Sequence, residues 1–433
     1  MRKLLIQVIS VSMVLLCSCN HLPAESLLSE TGSSLNTTTT DTTVDTTASA
    51  SISTTLQAVT TINGQTVKTT AATFVTTTKE TTKTARQTTT TTRRENSMIE
   101  TNSNMLPVTA ANVRINGRYH LKDLDLAFSN SYAGIEFAFK GTALAVEFAA
   151  TAYKSGAEIY AKVYVDDLEP VSIKIDKPGY YTIVTNLDGD KIHQVRIAKR
   201  SESNVGAMII RKLKINPGGQ FYTPEDAPAR KILVLGDSIA CGYGNLYTGG
   251  ETVGSTAYED GCQTFATMLA DTYNAQLEVV AISGIGVASI PDKLYPLLPT
   301  FLQEDNISNV PYTWTYVPDV VVIELGTNDD ANQAGDQLVM DAAQEMIRTV
   351  REKYPKAAIV WTYGIMSQNH MAALKTAVEE LVVAGDKQLR FLPLEKSLPD
   401  ELPMGLAGHP SMAGHRRMAR ELSAIISDMT GWK

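Results

Sequence analysis

"KILVLGDSIACGYG", Lys231 to Gly244, decides the architecture. Its apolar run breaks at Gly236-Asp237-Ser238 and passes into small residues and glycine. Such a run reads as a buried strand that ends in a strand-to-helix turn. Further apolar runs follow in "LEVVAI", "DVVVIEL" and "AAIVW", with a weaker one in "LRFLPL". Helical stretches separate them. In "DAAQEMIRTVREKY", Ala343, Met346, Ile347 and Val350 recur at helical spacing, and Met418, Leu422, Ile425 and Met429 repeat the pattern at the end. Continuous apolar strands alternating with amphipathic helices predict a parallel, doubly wound α/β sheet covered on both faces, over residues 228–433.

Upstream the period changes to two. "EIYAKVYVDD" puts Ile159, Ala161, Val163 and Val165 on one face, with Tyr160, Lys162 and Tyr164 on the other. "GIEFAFKG", "ALAVEFAA", "YTIVTN" and "AMIIRKLKI" are similar runs, separated by turn chemistry in "KGT", "DKPG" and "LDGD". Residues 107–220 therefore predict an all-β sandwich, with a jelly roll as the first choice. Its role is either to contact carbohydrate or to act as a scaffold. "TPEDAPARK" links it to the α/β part.

Residues 20–106 are rich in Thr and Ser, as in "NTTTTDTTVDTT", and read as a disordered linker. As a flexible coil it would reach about 50 Å. Arg2 and Lys3 precede an apolar run from Leu4 to Leu16, the shape of a signal peptide over 1–19. "LCSC" (Leu16 to Cys19) resembles the bacterial lipoprotein box, which implies cleavage before Cys19 and a lipid anchor on its sulfur. The expected location is extracellular, at a bacterial cell surface, with the membrane contacted through that lipid. Only Cys241 and Cys262 remain for the folded part, as a possible disulfide. The net charge of -8 argues against a nucleic-acid partner. No Cys/His spacing suits a metal, so no metal or organic cofactor is expected.

In a doubly wound sheet, sites form at the carboxyl ends of the strands. Ser238 lies at the first of these. Gly284 and Gly286 in "ISGIG" follow the second, and Gly326 and Asn328 in "GTNDD" follow the third. "GHPSMAGHRRMAREL" places His409 at the entry of the final helix. A nucleophile, a base and donors for an oxyanion are what an ester hydrolase needs. Asp237 and Asp329 read as loop-bracing acceptors, and His415 as a helix-surface residue. Trp361 and Tyr243 are candidates for contacts with a sugar ring.

Together these blocks resemble the SGNH, or GDSL-like, hydrolase superfamily, through Ser238, Gly284, Asn328 and His409. The sandwich ahead of the domain, "GDSIACGYG" and "WTYGIM" (Trp361 to Met366) look closer still to carbohydrate esterase family 2. The resemblance implies a flavodoxin-like, three-layer SGNH domain and removal of O-acetyl groups from acetylated polysaccharide such as xylan or glucomannan. It implies catalysis by Ser238 and His409, with an oxyanion hole from the Ser238 and Gly284 N–H groups and the Asn328 amide. One departure stands out. The family places an aspartate two or three residues before the histidine, where this sequence has Ala407 and Leu406. Either a backbone carbonyl holds Nδ1 of His409, giving a Ser-His dyad, or the enzyme is impaired. The alternatives are another SGNH ester hydrolase, acting on lipid or peptidoglycan O-acetyl groups, and a catalytically silent glycan-binding protein.

Overall fold

The computed structural model describes residues 96–101, 103–250, 256–288, 315–397 and 403–433, with short strand segments elsewhere. The expected signal peptide and Cys19 lie outside the described residues, as does most of the expected linker. Within that linker the backbone pairs Asn36–Thr43 with Arg86–Arg93, and Gln57–Ile62 with Gln65–Thr70, as two isolated ladders. Two-stranded ladders of this kind are marginal in water on their own. No helix among the described residues is long and apolar enough to cross a membrane.

The β region forms two antiparallel sheets packed on one core. In the first, Val171–Lys174, Tyr160–Val165, Ile192–Lys199, Gly134–Lys140 and Gln220–Tyr222 lie side by side. In the second the order is Gly179–Val184, Leu144–Ala152, Gly206–Ile215, Asp125–Phe128 and His120–Lys122. Alternation explains the layers: Ile159, Ala161, Val163 and Val165 enter the core with Phe137, Phe139, Val146 and Phe148. The chain passes repeatedly between the sheets, as in a jelly roll. The sandwich begins earlier than residue 107, because Met98–Ile99 pairs with Gln220–Tyr222 and Met105–Pro107 pairs with Gly206–Ile215. These strands are two and three residues long, too short for any period to show.

The second region is a five-stranded parallel sheet ordered Ala275–Ala281, Arg230–Gly236, Val320–Glu324, Ala358–Tyr363, Leu389–Pro393. In chain order this is 2-1-3-4-5, the flavodoxin-like arrangement. Helices α2 (Phe265–Tyr273) and α6 (Met412–Thr430) cover one face through Phe265, Leu269, Met418 and Leu422. Helices α4 (Asp336–Lys353) and α5 (Met371–Val383) cover the other through Val339, Ile347, Leu374 and Val378. The order reverses between the first and third strands, and a doubly wound sheet opens a crevice at such a point.

Buried polar contacts join the two regions. Lys162 Nζ meets Asp260 Oδ2 at 2.6 Å, Arg118 Nε meets Glu278 at 2.7 Å, and Ser203 Oγ donates to the Ala281 carbonyl. Removing one partner of a fully buried ion pair costs about 3–5 kcal/mol. Lys162 stands on the outward face of its strand yet is buried, because that face meets Asp260 of the second region. Asp260 in turn carries the turn after Ser238: its N–H donates to Asn245 Oδ1, and its carbonyl accepts from Asn245 Nδ2. The sandwich thus props the loop that presents the serine.

Candidate active site

Ser238 opens α1 (Ser238–Cys241) directly after the first strand. Asp237 caps this turn, with Oδ1 accepting from the Ile239 N–H at 2.9 Å. As the first helical residue, Ser238 leaves its own N–H without a carbonyl in the helix. Gly242 ends the turn in the left-handed region, where an added Cβ would stand 2.6 Å from the Asp260 carbonyl oxygen.

His409 comes from the opposite side, two residues before the cap of α6. Its Nε2 lies 2.8 Å from Ser238 Oγ, across 171 residues of sequence. Its Nδ1 lies 3.1 Å from the Leu406 carbonyl oxygen. A carbonyl can only accept, so Nδ1 carries the proton and the Nε2 lone pair faces the serine hydroxyl. This is the tautomer a general base requires. Ala407, where an acid was expected, is exposed and takes the left-handed region at φ 52° and ψ 34°. The turn there closes so that the Leu406 carbonyl accepts from both the backbone N–H and Nδ1 of His409. Burial pulls the His409 imidazole below its ordinary pKa, opposed by the Leu406 and Ala407 carbonyls.

The third block behaves partly otherwise than the sequence suggests. Asn328 lies in α3 (Thr327–Ala331), and its Nδ2 donates to Asp237 Oδ2 at 3.0 Å and to the Ile285 carbonyl at 2.9 Å. Both amide protons are occupied, so an oxyanion would have to displace or share one of these bonds. The same contacts bind the second-strand loop to the nucleophile turn. Asp329 ties the neighbouring loop rather than its own, accepting from the Val287 and Ala288 N–H groups. Gly284 is exposed with φ 84°, and Gly286 is buried.

Under the serine two carboxyls meet. Burial pushes Asp237 up to about 7, and burial followed by the Asp237 charge pushes Glu324 well above the carboxylate range. Both are fully buried. Two such groups side by side cannot both ionise at neutral pH, so Glu324 keeps its proton.

Two expectations are corrected. Trp361 is not a sugar platform: it is fully buried in the core, with Nε1 donating to the Leu325 carbonyl at 3.3 Å. Its strand is covered on both faces, which leaves no exposed side for an aromatic ring. His415 is not on the helix surface: it is fully buried against Phe265, accepts that residue's N–H on Nδ1, and is pushed by burial down to about 3. Tyr243, half-buried, lies against the His409 ring, with centroids 4.6 Å apart. Cys241 and Cys262 are free, buried thiols, so no disulfide joins them. Among the described residues no group of three or more His, Cys, Asp or Glu could hold a metal ion.

The sequence matches two family models. Residues 234–417 match the GDSL-like lipase/acylhydrolase family, and residues 115–224 match the carbohydrate esterase 2 N-terminal model. An acetylxylan esterase/glucomannan deacetylase of Cellvibrio japonicus is 26% identical over 346 residues, 77% of this chain and 93% of that protein. The cellulase/esterase CelE of Acetivibrio thermocellus is 30% identical over 335 residues, 73% of this chain but only 39% of the longer relative. Among solved structures, a family two carbohydrate esterase from Clostridium thermocellum in complex with cellohexaose superposes with a TM-score of 0.67 at 27% identity. It is matched over its whole length and over 74% of this chain.

Proposed function

Since the chain belongs to the GDSL-like acylhydrolases that carry a carbohydrate esterase 2 N-terminal domain, we propose that it is a carbohydrate O-deacetylase acting through Ser238 and His409. The observation that carries the mechanism is the relay from the Leu406 carbonyl through Nδ1 and Nε2 of His409 to Ser238 Oγ. His409 takes the hydroxyl proton as Oγ attacks the acetyl carbonyl, forming the C–O bond of a tetrahedral intermediate. The oxyanion is met by the Ser238 and Gly284 N–H groups and by an Asn328 proton released from Asp237 or Ile285. The imidazolium then protonates the departing sugar oxygen as the C–O bond to the sugar breaks. Water gives its proton to His409, attacks the acetyl-serine, and acetate leaves as Ser238 recovers its hydrogen. No step requires a metal or an organic cofactor.

The substrate class rests on the relatives. The Cellvibrio japonicus protein is named for acetylated xylan and glucomannan, and the Clostridium thermocellum structure holds a cello-oligosaccharide. Acetylated plant polysaccharide is accordingly the substrate proposed here. It is too large to enter a cell, which places the enzyme outside. The leader and lipoprotein box in residues 1–19 agree with that location and with a lipid anchor on Cys19.

The pH profile tests the base. His409 must be neutral to accept a proton, so kcat/KM falls as pH drops through its pKa. Burial lowers that pKa, so the acid limb is expected below the ordinary imidazole value of about 6.5. Hydrolysis of p-nitrophenyl acetate from pH 4 to pH 8 measures it. A limb above that value, or a flat profile, contradicts the assignment of His409.

A further inference from the structure

His409 has hydrogen-bond partners at both ring nitrogens, but neither is a carboxylate. The dyad must nevertheless support an imidazolium whenever the serine proton moves. The serine's own loop reaches this ring directly through Tyr243 and indirectly through Leu406. The Tyr243 N–H donates to the Ser238 carbonyl at 3.0 Å. The Gly244 carbonyl accepts from the Leu406 N–H at 3.0 Å, and the Leu406 carbonyl receives Nδ1. The Tyr243 ring, half-buried, then lies against the imidazole with an interplanar angle of 50°. Gly244 makes the approach possible: its φ is 65°, and an added Cβ would stand 2.5 Å from Leu406 Cβ.

We propose that Tyr243 is a positioning residue for His409, its ring fixing the imidazole plane and stabilising the imidazolium in place of the absent acid. A cation within about 6 Å of an aromatic face is attracted by the ring quadrupole, and more strongly where water is excluded. The other titratable groups nearby do not supply this. His415 is buried and neutral at working pH, and Asp237 lies under the serine, bonded to Ile239 and Asn328. The inference deepens the proposed dyad mechanism and rests on it.

Tyr243→Leu keeps apolar bulk and removes the π face, whereas Tyr243→Phe keeps the face and removes the hydroxyl. In the full chain, Tyr243→Leu is expected to lower kcat for p-nitrophenyl acetate about tenfold with little change in KM. It should also move the acid limb to lower pH, because the imidazolium loses its support. Tyr243→Phe should restore most of the lost kcat and the position of the limb. An NMR titration of the His409 ring, with Ser238→Ala in the background, reads the same shift without turnover. The proposal is overturned by a raised KM at unchanged kcat, which would mark a substrate contact. A Tyr243→Phe variant as impaired as Tyr243→Leu, or an unmoved His409 titration, also overturns it. Should Tyr243→Leu fail to fold, Tyr243→Met is read by the same titration. If the wild type cleaves no ester, the functional reading fails, and the titration still decides the role of Tyr243.

Discussion

Ser238→Ala is expected to lose at least about 10⁴-fold in kcat on any ester the wild type cleaves, with its melting temperature little changed. In the proposed mechanism Oγ bonds to the acyl carbon, so its removal leaves only the oxyanion donors and substrate binding. The side chain sits on the first residue of α1, capped by Asp237 through Ile239. Alanine keeps that cap and the helix, because neither uses the hydroxyl. Stopped assays and thermal melts on the same preparation separate the two effects. A residual kcat within tenfold of the wild type would remove Ser238 from the chemistry. Binding of polysaccharide retained by a protein that never cleaved it would favour the silent glycan binder.

His409→Ala is expected to fall by a similar factor, and the double variant by no more than either alone. In the proposed mechanism the two residues act as one unit through the 2.8 Å contact between Nε2 and Oγ. A serine hydroxyl is a weak nucleophile without a base, and a base without the serine has nothing to activate. The expected loss is therefore strongly non-additive. Multiplicative losses in a double-mutant cycle would mean that the two side chains serve separate steps. The absent acid gives this variant added weight. In serine proteases the triad carboxylate fixes the tautomer of the histidine, and its loss is costly for that reason. Here the Leu406 carbonyl performs that task from the backbone.

This also marks where sequence ceases to speak. Three strand ends bearing Ser238, Gly284 and Asn328, and the His409 loop before the final helix, could be read directly, because apolar runs announce buried parallel strands and sites form at their carboxyl ends. The sandwich followed from alternation in "EIYAKVYVDD", whose apolar set does enter the core. A carbonyl, by contrast, belongs to every residue, so nothing in "GLAGHP" singles out Leu406. The left-handed Ala407 that shapes the turn is equally silent, since alanine has no preference for that region. Trp361 misled because an aromatic near a strand end looks the same whether the strand is covered on one face or two. His415 misled because Pro410 singled out His409 as the loop histidine and left His415 to the helix surface, although α6 buries that side of its turn. The double use of the Asn328 amide depends on Ile285 and Asp237, which only the folded sheet brings together.

Acetate release is the most direct measurement. The intact chain is incubated with acetylated xylan, with acetylated glucomannan and with a long-chain acyl ester, each beside the Ser238→Ala variant, and free acetate or fatty acid is quantified. The account predicts acetate from at least one of the two polysaccharides, absent with the variant, and little cleavage of the long-chain ester. Cleavage of the long-chain ester with both polysaccharides untouched would contradict it.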